Sequence, residues 1–135
     1  MVYGLYLFIH TYICSMLINE LSKKTGISAH TIRFYEKSGL IQGIRNEAIK
    51  SNNYFHYDEE TVERLEFIQD AKSVGFTIKE IGLMIDAWYN EVYSKKEKIA
   101  VLNDKLASLD NKLKEIKAMQ KKIGQFKDDV IHNRC

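Results

Sequence analysis

With 135 residues, the chain has room for one compact domain and an extension, but hardly for two large cores. Its 45% hydrophobic and 28% charged residues are typical of a folded, soluble protein, and the absence of proline suits a chain built mainly of helices. Two cysteines, Cys14 and Cys135, are too few for a disulfide framework or a zinc pattern, so we expect a reduced, cytoplasmic protein.

The formal net charge of +2 is distributed unevenly along the chain. Residues 16–57 contain six basic and three acidic residues, whereas residues 58–92 contain three basic and nine acidic ones. Residues 93–135 contain eleven basic and six acidic residues. A surface that binds DNA needs positive charge opposite the phosphates, and the first segment supplies it only modestly. Charge alone therefore does not indicate a nucleic-acid partner.

Residues 1–15 are apolar and aromatic and contain no Lys or Arg. A signal peptide would need a basic start, and a membrane span would need about 20 apolar residues. We therefore interpret this segment as an extension upstream of a true translation start at Met16. The alternative is a short element that packs on the following domain. No membrane partner is expected in either case.

A helix-turn-helix is predicted directly after this extension. The first helix should run from Leu17 to Lys24, because three apolar residues recur there at helical spacing: Leu17, Ile18 and Leu21. Gly26 breaks this helix, as the tight turn of a helix-turn-helix requires. Ser28 is a good N-cap for a second helix over residues 29–38. Gly39 should end it in the left-handed conformation, with Leu40 folding back onto Tyr35.

A β-hairpin and two further helices are predicted next. Residues 41–57 contain β-branched and aromatic residues around a polar stretch, which predicts a hairpin with its tip near residues 50–53. Asp58 should cap a third helix that Gly75 stops, with an inward stripe of Val62, Leu65, Ile68 and Ala71. Thr77 and Glu80 form a capping box for a fourth helix, whose inward residues should be Ile81, Met84, Ile85 and Trp88.

After Tyr93 the apolar residues follow alternating steps of three and four, with Gln120 in one slot. This pattern is typical of a coiled-coil seam of about four heptads, roughly 40 Å long. A single helix would leave the stripe exposed, so we expect a homodimer. The predicted seam residues are Ile99, Leu102, Leu106, Leu109, Leu113, Ile116 and Ile123.

These elements predict a mainly α fold, a winged helix-turn-helix with a small β-hairpin wing followed by a long dimerisation helix. The DNA-binding domain should span residues 16–92 and the coiled-coil helix residues 93–130. Residues 131–135 would form a tail, and residues 1–15 the extension.

The exposed face of the second helix carries the candidate DNA contacts. Ile32 and Tyr35 should face the core, which leaves a mixed polar surface suited to the major groove: His30, Thr31, Arg33, Phe34 and Lys37. Arg33 can bind guanine or phosphate through its planar donors. An ordinary solvated helix face would show the same pattern, so spacing alone leaves both interpretations open.

Several runs of residues resemble the MerR family of bacterial transcriptional regulators. They are Ile18 to Ser28, Thr31 to Glu36, Gly39 to Ile41, Asn53-Tyr54, Tyr57-Asp58, Val74 to Thr77 and Glu80-Ile81. The likeness covers residues 16 to about 125. The Thr-Ile-Arg-Phe-Tyr-Glu run and the Gly-Phe-Thr turn are specific when they occur together at this separation.

This resemblance implies a function and a set of contacts. Arg33 and Phe34 would lie on the DNA-facing recognition helix, while Arg45 and Tyr54 of the wing would touch the DNA backbone. The turn from Lys72 to Lys79 would form a second wing on the phosphates. The long helix would pair antiparallel with its twin. Members of the family act on promoter DNA by bending and untwisting it between two half-sites, so RNA polymerase would be affected indirectly.

The wing departs from the family pattern. The family usually has Gly-Tyr-Arg where this chain has Asn53-Tyr54-Phe55, so one expected phosphate contact is missing. Arg45 also stands farther from Tyr54 than usual, which predicts a longer wing. Lys50 or His56 would be the candidates to replace the lost charge.

No cofactor is evident from the sequence. Metal-sensing relatives carry thiolates at the start of the dimer helix, where this chain has Tyr93-Ser94. His132 and Cys135 are the remaining candidates for a metal or redox effector, but one imidazole and one thiolate are too few for a tight zinc site without the partner. A frayed tail with an incidental thiol is the alternative that we favour.

No enzyme is predicted, because the four histidines are scattered and no nucleophile–base pair or phosphate-binding loop is present. The alternative to a promoter-specific regulator is a structural protein that binds DNA and organises it through the coiled coil. Binding to one palindromic site would favour the regulator, and uniform binding to any duplex the structural protein.

Overall fold

The computed structural model describes residues 15–45 and 54–134. Its elements, in chain order, are α1 (Ile18–Thr25), α2 (Ala29–Lys37), β1 (Ile44–Arg45), β2 (Phe55–His56), α3 (Glu59–Ser73), α4 (Ile78–Tyr89) and α5 (Lys95–Ile131). This order confirms the predicted class, a mainly α chain with one small hairpin. The chain divides into two compact units, with the boundary between Asn90 and Glu91. Within the described ranges, no helix combines the length and apolar character needed to cross a bilayer.

Helix α1 begins one residue later than predicted. Leu17 is extended, with φ −78° and ψ 163°, and serves as the N-cap. Its backbone N–H donates to Oε2 of Glu20 at 2.8 Å, which satisfies one donor at the helix start. Leu17 is consequently 39% exposed and Ile18 half-buried, whereas Leu21 is fully buried. The residue predicted as the first of the helix is therefore its N-cap, because Leu17 has an extended backbone and lies outside the helical phase.

Helix α2 begins and ends as its sequence predicts. The Ser28 hydroxyl accepts the N–H of Thr31 at 3.1 Å. At the other end Gly39 has a φ of +77°, and the N–H of Leu40 donates to the Tyr35 carbonyl at 3.0 Å. This is the Schellman arrangement, which places buried Leu40 and buried Tyr35 one turn apart.

The core of the first unit is formed by one face of each of its four helices. Its fully buried side chains are Leu21, Ile32, Leu65, Ile68 and Ile81. Burial of each such side chain contributes about 1.5–3 kcal/mol before the entropy cost of ordering. All four predicted inward residues of α3 are buried.

The last two helices of this unit have the predicted caps. Asp58 accepts hydrogen bonds from both the N–H and the hydroxyl of Thr61, each at 2.9 Å. Thr77 and Glu80 form the capping box of α4. On α4 the inward residues predicted as Ile81, Met84 and Ile85 are buried, but Trp88 is only half-buried. Trp88 lies one residue before the end of the helix, where the small side chain of Ala87 is buried instead.

The hairpin joins the two strands in antiparallel register, with Ile44 opposite His56 and Arg45 opposite Phe55. Each strand is two residues long, and the predicted tip at residues 50–53 lies outside the described residues. Tyr57 continues the pairing with a different partner. Its N–H and carbonyl exchange two 2.8 Å hydrogen bonds with the backbone of Met16. The end of the hairpin is thereby fixed beside the start of α1.

Helix α5 contains 37 residues and is therefore about 55 Å long. The helix begins with a capping box that the sequence analysis did not identify. The Ser94 N–H and hydroxyl both donate to Oε2 of Glu97 at 2.7 Å. Through these hydrogen bonds the pKa of Glu97 lies below its usual value. None of the described side chains of α5 is buried, and the predicted seam residues are between 39% and 65% exposed. Exposed Met119 lies within this stripe, and exposed Phe126 and Val130 extend it towards the C-terminus.

Candidate nucleic-acid interface

Helix α2, the predicted recognition helix, has one buried and one exposed face. Ile32 and Tyr35 pack into the core, as predicted. Most of the predicted DNA contacts on this helix are exposed: His30, Arg33, Phe34 and Lys37. Phe34 is 49% exposed, which is unusual for a large aromatic residue. Thr31 differs, because it is half-buried and its hydroxyl lies 2.9 Å from that of Ser28 at the helix cap.

Beside this exposed face lies an open groove of about 510 Å³, which we call the wing groove. It is bounded by α2, the start of α1 and the base of the hairpin, and it brings together two predicted contacts, Arg33 and Tyr54. Tyr54 is 61% exposed. The residues that line the groove are Leu17, Ile18, Asn19, Arg33, Glu36, Tyr54, Phe55 and Tyr57. A guanidinium, a phenol and the N-terminus of a helix are all groups that bind phosphate.

Glu36 connects the recognition helix to the hairpin through both of its carboxylate oxygens. Oε2 accepts the hydroxyl of Tyr57 at 2.7 Å, and Oε1 accepts the N–H of Gly43 at 3.3 Å. Burial raises the pKa of Tyr57 far above its ordinary value, the hydrogen bond to Glu36 raises it further, and the charge of Arg33 opposes the shift. Tyr57 therefore remains a neutral donor. The sequence analysis did not identify Glu36, Gly43 or Tyr57 as site residues, although the first and last belong to the runs that carry the family resemblance.

Gly43 allows the hairpin to lie close to α2. A Cβ atom at this position would lie 2.9 Å from the Cβ of Phe55 and 3.1 Å from Oε1 of Glu36. Such distances are shorter than ordinary carbon contacts, so a larger residue would displace Phe55 or break the Glu36 contact. The absence of a side chain at Gly43 thus determines how closely the hairpin packs.

Phe55 occupies the position where the family usually has an arginine. Its ring lies beneath the guanidinium of Arg45, with 4.3 Å between the Arg45 Cζ and the ring centroid. Arg45 is exposed and Phe55 is half-buried. The two residues are cross-strand partners, so their side chains emerge on the same face of the hairpin.

Lys50 and His56 are the two residues predicted to replace the charge of the missing arginine. Lys50 lies outside the described residues. The Nδ1 atom of His56 is buried and has no hydrogen-bond partner within the described ranges. His56 as a whole is half-buried, so its role as the replacement stays a prediction.

The turn between α3 and α4 is the predicted second wing. Gly75 has a φ of +90°, and the N–H of the buried Phe76 donates to the Ala71 carbonyl at 3.1 Å. This arrangement ends α3 in the same way that Gly39 ends α2. The side chains of Lys72 and Lys79, on either side of the turn, are exposed.

The C-terminal candidates for an effector site are only partly described. The Nδ1 atom of His132 lies 2.8 Å from the carbonyl oxygen of Asp128, one turn earlier. Cys135 lies outside the described residues. Across residues 15–45 and 54–134, no group of three or more His, Cys, Asp or Glu residues is arranged to hold a metal ion.

Two family models match the chain. One is described as MerR HTH family regulatory protein and matches residues 16–88, and the other as MerR, DNA binding, and matches residues 62–126. The chain belongs to the MerR family. Its members are transcription regulators, and this chain is accordingly a DNA-binding regulator of the MerR type rather than a structural DNA-binding protein.

Several relatives within the family are similar along most of their length. A probable heavy metal-dependent transcriptional regulator of Haemophilus influenzae is 32% identical over 119 residues, which is 87% of this chain and 90% of that protein. The mercuric resistance operon regulatory protein of Bacillus cereus is 28% identical over 87% of this chain and 86% of its own.

Solved structures agree with this assignment. The lead(II) complex of a transcription regulator from Ralstonia metallidurans superimposes with a TM-score of 0.70 at 30% identity, over 80% of this chain and 82% of the other. A MerR family regulator lacking the sensor domain, bound to promoter DNA, has a TM-score of 0.56 at 21% identity, over 79% of each chain, and shows a shared fold. The family assignment also agrees with the predicted homodimer on promoter DNA.

Proposed function

We propose that two copies of this MerR-type regulator bind a palindromic promoter site, with α2 of each in the major groove. The wing groove carries this proposal, because it joins Arg33 of the recognition helix to Tyr54 of the hairpin in one concave surface. In this arrangement the side chains of α2 read or clamp the DNA while the groove receives a backbone phosphate. Transcription would change because the bound dimer distorts the DNA between the half-sites.

The residues of the proposed interface have separate roles. Arg33 is the candidate for a bidentate contact, either with guanine O6 and N7 or with phosphate. Tyr54 and the first N–H groups of α1, at Ile18 and Asn19, would donate to a phosphate, which the partial positive charge of the helix N-terminus favours. The other candidates on the recognition helix, beside the groove and on the second wing are His30, Thr31, Phe34, Lys37, Arg45, Lys72 and Lys79.

The first experiment is a footprint on the DNA upstream of the protein's own gene, followed by a titration of the protected duplex. Replacing Arg33 by alanine should weaken binding about 10- to 100-fold if it contacts a base. If Arg33 contacts a phosphate, the same variant should instead lower the salt dependence by about one counterion. Arg64→Ala is the matched control, because Arg64 lies on α3 and pairs with Glu60 at 2.9 Å. Unchanged binding by Arg33→Ala would refute the assignment of α2 as the recognition helix, and equal binding to every duplex would favour a structural role.

The effector is a separate question. The two relatives named above are called heavy metal-dependent and mercuric resistance regulators, but the described part of this chain has no cluster of metal ligands. His132 and Cys135 supply only two donors per chain, so we assign no metal to this protein. We expect Cys135→Ser to leave promoter output unchanged when cells are exposed to metals or oxidants. Loss of a response in this variant, measured with a reporter gene and with His132→Gln in parallel, would instead identify the tail as a sensor.

A further inference from the structure

We propose that Phe55 is a positioning residue, which holds the guanidinium of Arg45 ready to bind a DNA phosphate. This inference rests on the proposed function, because it concerns how one contact of the DNA interface is prepared. It also gives a role to the residue that replaces the usual arginine of the family. Sequence alone indicated only that a contact was missing there.

The contact between these two side chains has the geometry of a cation–π interaction. The guanidinium carbon of Arg45 lies 4.3 Å above the centre of the Phe55 ring, well within the range of about 6 Å over which such pairs attract. Because Arg45 and Phe55 are directly opposite in the strand register, the backbone itself brings them together.

The ring of Phe55 is itself held from below. The Cβ and Cδ1 atoms of Phe55 both lie 2.9 Å from where a Cβ of Gly43 would be, so the ring packs directly on the backbone. Gly43 in turn donates its N–H to Glu36 of the recognition helix. Phe55 is thus linked to α2 through Gly43 and Glu36, and the guanidinium of Arg45 lies over its ring.

A guanidinium that lies flat on an aromatic ring keeps its donors free at the edges. The N–H groups of arginine lie in the plane of the guanidinium, so a ring against its flat face blocks none of them. An arginine already ordered by stacking loses less rotamer entropy when it binds a phosphate. An arginine at position 55 would instead place two like charges opposite each other across the strands, which destabilises a hairpin. Phenylalanine at position 55 therefore strengthens the contact between Arg45 and phosphate, whereas an arginine there would repel the Arg45 side chain.

The test is a double-mutant cycle on the duplex protected in the footprint of the protein's own upstream DNA. Phe55→Leu removes the ring face but keeps an apolar side chain, and we expect binding about two- to five-fold weaker, the fold-change that corresponds to an exposed cation–π pair. Phe55→Tyr should restore wild-type binding. In the Arg45→Gln background, Phe55→Leu should cause no further loss. Phe67→Leu, which removes a half-buried ring that is not part of the groove, should bind as the wild type.

A spectroscopic measurement on the free protein separates this inference from the proposed function. The ring current of Phe55 should shift the Arg45 Hε proton resonance upfield in the NMR spectrum, and Phe55→Leu should abolish that shift while Phe55→Tyr retains it. Equal losses from Phe55→Leu with and without Arg45, or an Arg45 resonance that does not respond to position 55, would overturn the inference. A wild-type protein that protects no DNA would refute the proposed function, and the resonance would still report whether the two side chains stack.

Discussion

Glu36 lies at the point where the recognition helix and the hairpin meet, and each of its carboxylate oxygens accepts one hydrogen bond. The bond from Tyr57 is short, at 2.7 Å, and that from Gly43 is longer, at 3.3 Å. Tyr57 is 2% exposed, so its hydroxyl would lack a partner if the carboxylate were removed. Glu36 therefore determines where the hairpin lies relative to α2, although it is not itself a cation or a DNA donor.

Removal of the Tyr57 hydroxyl should destabilise the protein. We expect Tyr57→Phe to lower the free energy of unfolding by about 1–2 kcal/mol at neutral pH, because a hydrogen bond to a charged group is lost. Urea unfolding measures this change. Tyr54→Phe is the control. Because Tyr54 is exposed, removal of its hydroxyl should leave the free energy of unfolding unchanged.

The stability that the Tyr57 hydroxyl contributes should depend on pH in the alkaline range. The folded-state pKa of Tyr57 is raised, so its contribution to stability is complete below the ordinary tyrosine pKa of about 10. That contribution is lost as the pH rises from there through the folded-state pKa. The difference in stability between wild type and Tyr57→Phe should therefore shrink above about pH 10. A difference that stays constant up to pH 11 would show that burial and the hydrogen bond to Glu36 do not raise the folded-state pKa of Tyr57.

Among the secondary-structure elements, α5 is the one whose sequence demands a partner most clearly. Its apolar stripe follows alternating steps of three and four from Ile99 to Ile116. Met119 then follows Ile116 after a second step of three, and the stripe continues through Ile123 and Phe126 to Val130. A heptad pattern with such a break locally overwinds a coiled coil. In this register Met119, rather than Gln120, lies in the seam, and the stripe runs one heptad farther than the predicted set.

A charge in the middle of this stripe should dissociate the dimer. We expect Leu109→Glu to raise the dimer dissociation constant at least about 100-fold, because a carboxylate would be buried without a partner. Analytical ultracentrifugation measures the change. Asn111→Glu is the control, because residue 111 lies on the opposite side of the helix from Leu109 and Leu113. Met119→Glu should weaken the dimer more than Gln120→Glu. A larger effect of Gln120→Glu would instead support the register that the sequence analysis predicted, with Gln120 in the seam.

For the molecule as a whole, DNA binding and dimerisation depend on each other. The positive charge of residues 16–57 is modest, with six basic and three acidic residues, so a single recognition helix would bind a half-site weakly. Two helices held by one dimer contact two half-sites at once, and the second contact then forms at a high effective concentration. The spacing between half-sites should consequently matter as much as their sequence.

The operator found by footprinting allows this dependence to be tested without changing the protein. Five base pairs inserted between the half-sites rotate one of them by about half a turn, and binding should fall to that of an isolated half-site. An insertion of ten base pairs restores the helical phase but not the distance, so it distinguishes a rigid dimer from a flexible one. Undiminished binding to both altered sites would contradict a fixed separation of the recognition helices.

The sequence by itself determined the order of the elements and several of their ends. Ser28, Asp58 and Thr77 cap helices because each hydroxyl or carboxylate accepts from an N–H three residues later, an interaction that local sequence encodes. Gly39 and Gly75 end helices because glycine adopts positive φ without strain. The DNA contacts of α2 stay a prediction, which is drawn from helical spacing and from the family resemblance.

Only the tertiary structure decided the contacts between residues that are far apart in the chain. The bond from Tyr57 to Glu36 joins positions that share no local pattern, and the exposure of Leu17 follows from its extended backbone beside the hairpin. Phe55 illustrates the difference most clearly. Sequence comparison with the family identified a lost arginine, whereas the strand register placed an aromatic ring beneath Arg45. Cross-strand contacts of this kind arise from how the strands pair, so sequence periodicity alone does not reveal them.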